Sequence, residues 1–357
     1  MKNFFDGIGV IFSLEMRQRL RGIAWYVLLG VFFLILLIVT GVFAFVVFVA
    51  GDESSAERAQ TAGPALSTII YLVLLLGTLV APAMSGNAIN GDRDAGTLAT
   101  TQVTLVTTWQ LVLGKFLAAW VTALGFLAVA SPFVIIAAVA GGLSPVSLLV
   151  SIIVLAVELG VVAAIGVGLS GVIPRPLFSV VVTYLVVAAL SLGTLIAFAL
   201  GGVAVQTRVT NYDWDDTNTK THVCSGLESY TDSAPRFDLD WGFLVTNPYV
   251  LLADAVPTNY DSHGEPKDLF GTIKVGVRSA QISPVTHETP AQVCADETHN
   301  RYAPGGYANS RDLVNATTPG WAVGLLIQLI LAAGALVGGW ARTRTPAGRL
   351  PKGNRVA

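Results

Sequence analysis

Glu158 is the single acidic side chain inside the long apolar runs of this 357-residue sequence, with Val154-Leu155-Ala156-Val157 before it and Leu159-Gly160-Val161-Val162 after it. Near the centre of a membrane helix it would cost about 2.5–3.5 kcal/mol on insertion scales, so it must face protein or water. Two roles follow. It can meet a substrate or a counter-cation along a translocation path, or it can sit protonated or hydrogen-bonded at a helix contact, with Thr122 or Thr183 as partner. Catalysis is not expected. Acid–base chemistry needs a positioned second group, and no acid, histidine, cysteine or metal ligand faces Glu158 from another apolar run.

The remaining candidates are polar. His222, Cys224, His287, Cys294 and His299 form a loose set whose spacing fits no compact zinc pattern, so no metal site is expected. Asp213-Trp214-Asp215-Asp216 lacks the glycine and distal glutamate of a calcium loop and reads as a solvated face. Gly114-Lys115 is followed by Phe116 rather than Ser or Thr and has no upstream glycine, so the phosphate-loop pattern is absent. The chain is expected to bind no nucleotide or other cofactor by itself. The stretch 87–115 differs in kind, because Asp92, Arg93, Asp94, Gly96, Thr97, Leu98 and Trp109 stand between two apolar runs. Carboxylates just before a helix favour the positive end of its dipole, Gly96 permits a tight entry, and Thr97 can cap the first turn. The expectation is a helix near the membrane surface that fits a cleft in a partner.

The elements that position these residues follow from composition. Hydrophobic residues make up 53% of the chain and charged ones 12%, about half the charge of an ordinary soluble domain. Charges nearly vanish over 22–51, 64–85, 111–171, 177–205 and 321–340, and roughly 20 apolar residues cross ~30 Å of hydrocarbon. Gly141-Gly142-Leu143-Ser144-Pro145 divides the longest stretch, and Pro174-Arg175-Pro176 makes a further break. The prediction is an all-α membrane protein with six transmembrane helices at about 23–50, 64–84, 111–140, 146–172, 177–205 and 321–340. An interfacial helix occupies 1–22, and 23–205 holds spans one to five with the 85–110 loop. An irregular segment, 206–318, separates helices 5 and 6. The last span (319–340) is bracketed by Trp321 and Trp340, and a basic tail (341–357) follows. Gly160, Gly166, Gly168 and Gly171 permit close helix packing.

Arg17, Arg19 and Arg21 precede the first span, Arg342, Arg344, Arg349, Lys352 and Arg355 follow the last, and Arg93, Lys115 and Arg175 fall in loops on the same side. The first opposite loop has Arg58 against Asp52, Glu53 and Glu57. The positive-inside rule then puts both termini and the 85–110 loop in the cytoplasm, with 206–318 outside the cell membrane. Phe4, Ile8, Phe12, Met16 and Leu20, with Phe5 and Ile11, mark the apolar face of the interfacial helix, and its arginines turn toward water and lipid phosphates. The basic tail suits anionic lipid. Membrane lipid is thus an expected partner, and nucleic acid is not. On the oxidising side, a Cys224–Cys294 disulfide outweighs metal ligation and would be worth ~3–4 kcal/mol in the loop-entropy model. The apolar stretch 241–256 reads either as a strand and helix packed on the membrane mouth or as a segment lying at the interface.

Gly96-Thr97-Leu98, Thr107-Thr108-Trp109-Gln110 and Gly114-Lys115 together resemble the first cytoplasmic loop of the ABC-2 family of ABC transporter permeases. That family's pattern is a charged cluster, GTL, a short helix, a Trp near its end, and GK opening the third span. Asp92 and Asp94 stand where it prefers glutamate, Leu105 where it often has proline, and Thr108 where it often has arginine. The stretch 14–21 resembles the family's N-terminal interfacial helix. Ala164–Ser170 with Pro174-Arg175-Pro176 resembles the end of its fourth span, and 344–351 the tail of actinobacterial members. The resemblance covers the membrane part alone.

It implies the membrane subunit of an exporter that forms half of a translocation path. A second permease copy would complete the path, and a separate ATPase subunit carrying ATP and Mg would press on Asp92, Arg93, Asp94, Gly96, Thr97, Leu98 and Trp109. The alternative is an ABC-type signal transmitter that controls a cell-envelope partner through 206–318.

Overall fold

The computed structural model describes residues 4–46, 55–98, 106–140, 144–214, 227–286 and 309–344. Helix α1 (Phe4–Arg21) leads into α2 (Ile23–Phe45) and α3 (Ser55–Ser85). The short α4 (Asn90–Asp94) is followed by α5 (Thr108–Ala140) and α6 (Pro145–Val172). A fifth run joins α7 (Pro176–Ala188), a π-helical turn (Ala189–Gly193) and α8 (Thr194–Ala204). Then come strands β1 (Gln206–Trp214) and β2 (Leu227–Pro235), and the short helices α9 (Phe237–Asp240), α10 (Gly242–Val245), α11 (Pro248–Ala255), α12 (Leu269–Ser279) and α13 (Ser310–Ala316). The last helix is α14 (Trp321–Thr343).

Six of these runs are long and apolar enough to cross a membrane, which makes the chain a multi-pass, mainly α-helical membrane protein. The starts are set by local chemistry. Ser144 caps α6 by accepting from Ser147 N at 3.1 Å, with Pro145 in the first helical position, where its missing N–H costs nothing. Pro176 opens α7 in the same way. Helix α3 begins ahead of the expected 64–84, running from Ser55 through Pro64, while its apolar membrane window starts at Ser67.

The chain divides into two compact units. The first comprises 1–189 and 325–357. Within the membrane windows, 56%, 50% and 56% of residues are buried for the second, third and fourth spans, against 11%, 11% and 22% for the first, fifth and sixth. So α3, α5 and α6 form the inner layer, and the others turn most of their apolar surface outward. Close contact at α6 runs through its glycines. A Cβ at Gly166 would collide with the Ser85 hydroxyl, one at Gly168 with the Ala335 backbone, and one at Gly171 would stand 2.7 Å from Gly339 Cα. Gly160 lies against the Trp120 indole, which donates to Ala156 O at 2.8 Å.

The second unit, 190–324, is wider than the soluble segment expected from sequence, and its described part is not irregular. Strands β1 and β2 pair antiparallel from Gln206↔Pro235 to Trp214↔Leu227. The apolar stretch 241–256 holds no strand; it forms α10 and α11. Phe237 packs on Gly202 and meets Phe198 with ring centres 4.9 Å apart and planes tilted by 31°, and Asn247 donates to Ser191 O at 2.5 Å, a carbonyl of the π turn, and to Thr194 Oγ1 at 2.9 Å. The Asn247 carbonyl oxygen accepts from Tyr249 N and Val250 N, so one buried amide caps α11 and satisfies the π turn together.

Asp254 performs a similar double task. One carboxylate oxygen accepts from Arg278 Nε at 2.7 Å, and the other from Gly320 N and Trp321 N at 2.8 and 2.9 Å, the free donors at the start of α14. Both side chains of the pair are about 95% buried or more. Asp254→Ala strands a buried guanidinium and two helix N–H groups, so chemical denaturation should show a loss of about 3–5 kcal/mol. Asp254→Asn, which keeps an oxygen for the two N–H groups, should lose less.

Candidate functional site

The chain leaves α3 at Ser85 and turns sharply, with Gly86 N donating to Pro82 O at 2.8 Å and Gly86 pressed against Val180. The Ser170 hydroxyl of α6 accepts from both Ile89 N and Asn90 N, at 3.0 and 3.1 Å, and so satisfies the first donors of α4 from another helix. Asn90, fully buried, donates to Ile173 O at 2.5 Å and accepts from Arg93 Nη1 at 2.7 Å. Helix α4 closes at Ala95, and Gly96 follows with φ +70°, the left-handed conformation that glycine adopts without a Cβ penalty.

Asp92 and Asp94 lie within the short helix α4, one turn ahead of the helical residues that resume at Thr97, and the Thr97 hydroxyl donates back to Asp92 O at 3.3 Å. Thr97 and Leu98 are helical beyond Gly96. Leu98 is buried in a cluster with Ile11, Ile89, Leu111 and Val112.

Asp92 reaches inward. Its Oδ2 lies 2.7 Å from Lys115 Nζ, and the same ammonium donates to Glu15 Oε1 of α1. Lys115 is 1% exposed. Arg19, one turn along α1, approaches Glu15 at 3.8 Å, so two cations and two anions close a neutral cluster. Burial lowers the Arg19 pKa, and the Glu15 charge opposes that shift. This corrects the picture of all three N-terminal arginines pointing to water: Arg17 and Arg21 are exposed, but Arg19 turns to Glu15. The buried face of α1 is Ile8, Ile11 and Glu15, while Phe4, Phe5 and Leu20 of the expected apolar stripe remain outside. Close approach of α1 to α5 needs two glycines. A Cβ on Gly7 would stand 2.5 Å from Gln110 Cδ, and one on Gly114 2.7 Å from Ile11 Cβ.

The start of α5 is a capping box. Gln110 Oε1 accepts from Thr107 N at 2.7 Å, and Gln110 N lies 3.4 Å from Thr107 Oγ1. The Gln110 amide also donates to Phe4 O at 2.9 Å, tying the first residue of α1 to the first turn of α5. Trp109 stacks on Trp340 with centroids 4.9 Å apart and planes 17° apart, and the Arg344 guanidinium lies 4.6 Å from the Trp340 ring centre. The sequence-predicted set therefore divides. Asp92, Arg93, Leu98 and Trp109 are anchors within the protein, and Asp94, Gly96 and Thr97 form an exposed tip.

Glu158 is placed at the midpoint of α6 and is 1% exposed. Its partner is neither expected threonine. Thr122 and Thr183 each donate to the carbonyl four residues back on their own helix, Ala118 O and Ser179 O. A side-chain hydrogen bond joins Glu158 to Gln328 of α14 instead, and Glu158 Oε1 has no hydrogen-bond partner among the described residues. Cys224 and Cys294, with His222, His287 and His299, lie outside the described residues. Among the described residues no group of three or more His, Cys, Asp or Glu could hold a metal ion.

Sequence reasoning missed Glu15, Asn90, Ser170, Gln110 and Gln328. Thr107-Thr108-Trp109-Gln110 carried the capping-box signature in plain view, whereas the Ser170 and Gln328 contacts bridge residues 80 or more positions apart and leave no local trace. A scan against family models finds no match to this chain, and a search of curated proteins finds none either.

Removing the lysine should be costly. Lys115→Met leaves Asp92 without its cation and Glu15 with Arg19 alone, an expected loss of about 3–5 kcal/mol in denaturant unfolding. Adding Asp92→Asn to that variant should restore part of the loss, because the carboxylate left without a cation is removed.

Proposed function

We propose that the chain is the membrane-spanning permease subunit of an ABC exporter, forming half of a translocation path and driven by a separate ATP-binding subunit. The observation that carries this reading is the build of the 86–98 loop. Its exposed tip, Asp94 to Thr97, is small, and its back is fixed by buried polar contacts to three helices: Asp92 to Lys115 of α5, Asn90 to Ser170 and Ile173 at the end of α6, and, through Lys115, Glu15 of α1. A partner that presses on such a tip moves the helices behind it, because sliding would break buried bonds that each cost about 1–3 kcal/mol when left unmade.

In this reading both termini and the loop face the cytoplasm, where their arginines and lysines favour them. ATP and Mg belong to the partner. A second permease copy covers part of the apolar surface that α2, α7, α8 and α14 turn outward. Glu158, buried on α6 and facing Gln328 of α14, with one oxygen unpartnered among the described residues, is the candidate polar contact of the path.

The test is reconstitution in liposomes with the Walker-motif ATPase encoded beside the gene, if one stands there. The wild-type chain should copurify with it and stimulate ATP hydrolysis. Gly96→Val forces a β-branched residue into a left-handed conformation at the tip and should lower that stimulation about tenfold, equivalent to ~1.4 kcal/mol of coupling. The left-handed strain alone should lower its stability by about 1–2 kcal/mol, while Gly96→Asn, which tolerates that conformation, should keep the stimulation and separates strain from the loss of fold. Stimulation that survives intact in Gly96→Val would sink the role of the loop. Glu158→Gln should keep the fold through its isosteric amide and depress export; undiminished export would leave Glu158 a helix contact only.

A further inference from the structure

Within the second unit, a cavity of about 620 Å³ lies between α8, the β-hairpin and the end of α12. That volume falls inside the roughly 300–1,000 Å³ typical of small-molecule sites. Phe198 and Phe237, with ring centres 4.9 Å apart, form one wall, and Val209, Ile282, Pro284 and Val285 contribute the others. None of the lining residues carries a charge. Asn211, Ser279 and Ser283 supply the polar side chains, and the Ser279 hydroxyl is already spent on Gly276 O at 2.8 Å. The cavity opens on one side, and its mainly apolar lining offers an ion or a sugar few partners beyond Asn211 and Ser283.

The position of the cavity indicates what fills it. Phe198 belongs to the fifth membrane run, Pro176–Ala204, and sits about 9 Å short of its end along the helix axis. One wall is therefore part of a membrane-crossing helix, and lipid chains are the apolar molecules present at that depth. We propose that this cavity holds one acyl chain of a membrane lipid, with its headgroup left at the rim near Asn211 and Ser283. The assignment is independent of the transport reading, because it rests on the second unit alone.

The full chain in vesicles of phosphatidylethanolamine and phosphatidylglycerol, doped with a phosphatidylcholine bearing a diazirine on its acyl chain, provides the test. After irradiation, mass spectrometry should find label on Val209 and on 282–285, residues that belong to no membrane span. Gly276 lines the cavity, and a Cβ built there meets nothing within 4 Å, so Gly276→Phe should fill the space without disturbing α12. It should reduce the label on those residues several-fold while leaving label on α2 unchanged. Gly242→Phe, equally open but outside the cavity, should have no effect and controls for folding. Label confined to the apolar faces of the spans would overturn the proposal, as would cavity label that persists in Gly276→Phe. So would equal labelling by a short water-soluble alkyl diazirine, which would make the cavity a site for small solutes.

Discussion

Taking a lysine ammonium out of water costs several kcal/mol unless anions meet it, and Lys115 is met by two, Glu15 from α1 and Asp92 from α4. Much of the first unit follows from that requirement. Glu15 must face inward, which selects Ile8 and Ile11 as the buried face of α1 and leaves Phe4, Phe5, Leu14 and Leu20 on the outside. Helix α1 must then lie close enough to α5 for Glu15 to reach, and the two glycines at Gly7 and Gly114 allow that distance. Asp92 must be held at the same point, which requires α4 to be short and fixed in register. A buried ion cluster of this kind adds little net stability over a well-packed apolar one. What it supplies here is register, since three elements distant in sequence can satisfy the ammonium in one arrangement.

The same economy recurs at three breaks in the helices near the membrane. No water in hydrocarbon can rescue an unpaired N–H or C=O, so protein groups must do so. The Ser170 hydroxyl takes the first two donors of α4. Asn247 reaches the π-turn carbonyl of Ser191 while capping its own helix, and Asp254 closes the start of α14 while holding Arg278. Each of these side chains is at least 95% buried and serves two elements at once. Losing one would leave both a helix terminus and a tertiary contact unsatisfied.

The membrane runs were legible in the sequence because they are set by charge gaps and by proline and glycine, signals local to a few residues. Pro176 opening α7 and Ser144-Pro145 opening α6 are of this kind. The glycines of α6 were legible as packing positions, though not their partners, since Ser85, Ala335 and Gly339 are chosen by tertiary geometry. The site was legible as a place and less so in its parts. Asp92 and Trp109 looked like contact residues because they are polar or aromatic in a loop, yet both are turned inward by residues far along the chain, Lys115 and Trp340. The described part of 206–318 passed for irregular because its helices are short, four to eleven residues, and its single hairpin carries no apolar alternation strong enough to announce strands.

A contact that transmits a push needs stiffness behind it and little surface in front, and this loop has both. Among the described residues, Asp94, Gly96 and Thr97 offer a tip with no large apolar side chain, which in the proposed transporter lets the ATPase bind and release it without burying much area. Behind the tip Asp92 makes a charge-assisted bond to Lys115 and the buried Asn90 a hydrogen bond to Ile173 O, and Leu98 seats the far side in the same cluster as Ile11 and Leu111. Gly96 stands at the join, where the left-handed backbone turns the chain from α4 into the next helical residues. In the proposed transporter, motion of the tip reaches α5 through Lys115 and α6 through Ser170. Helix α6 also carries Glu158, at its midpoint. The loop and the buried carboxylate are therefore joined through one rigid element, and a shift of α6 that follows the loop alters the Glu158–Gln328 contact across to α14.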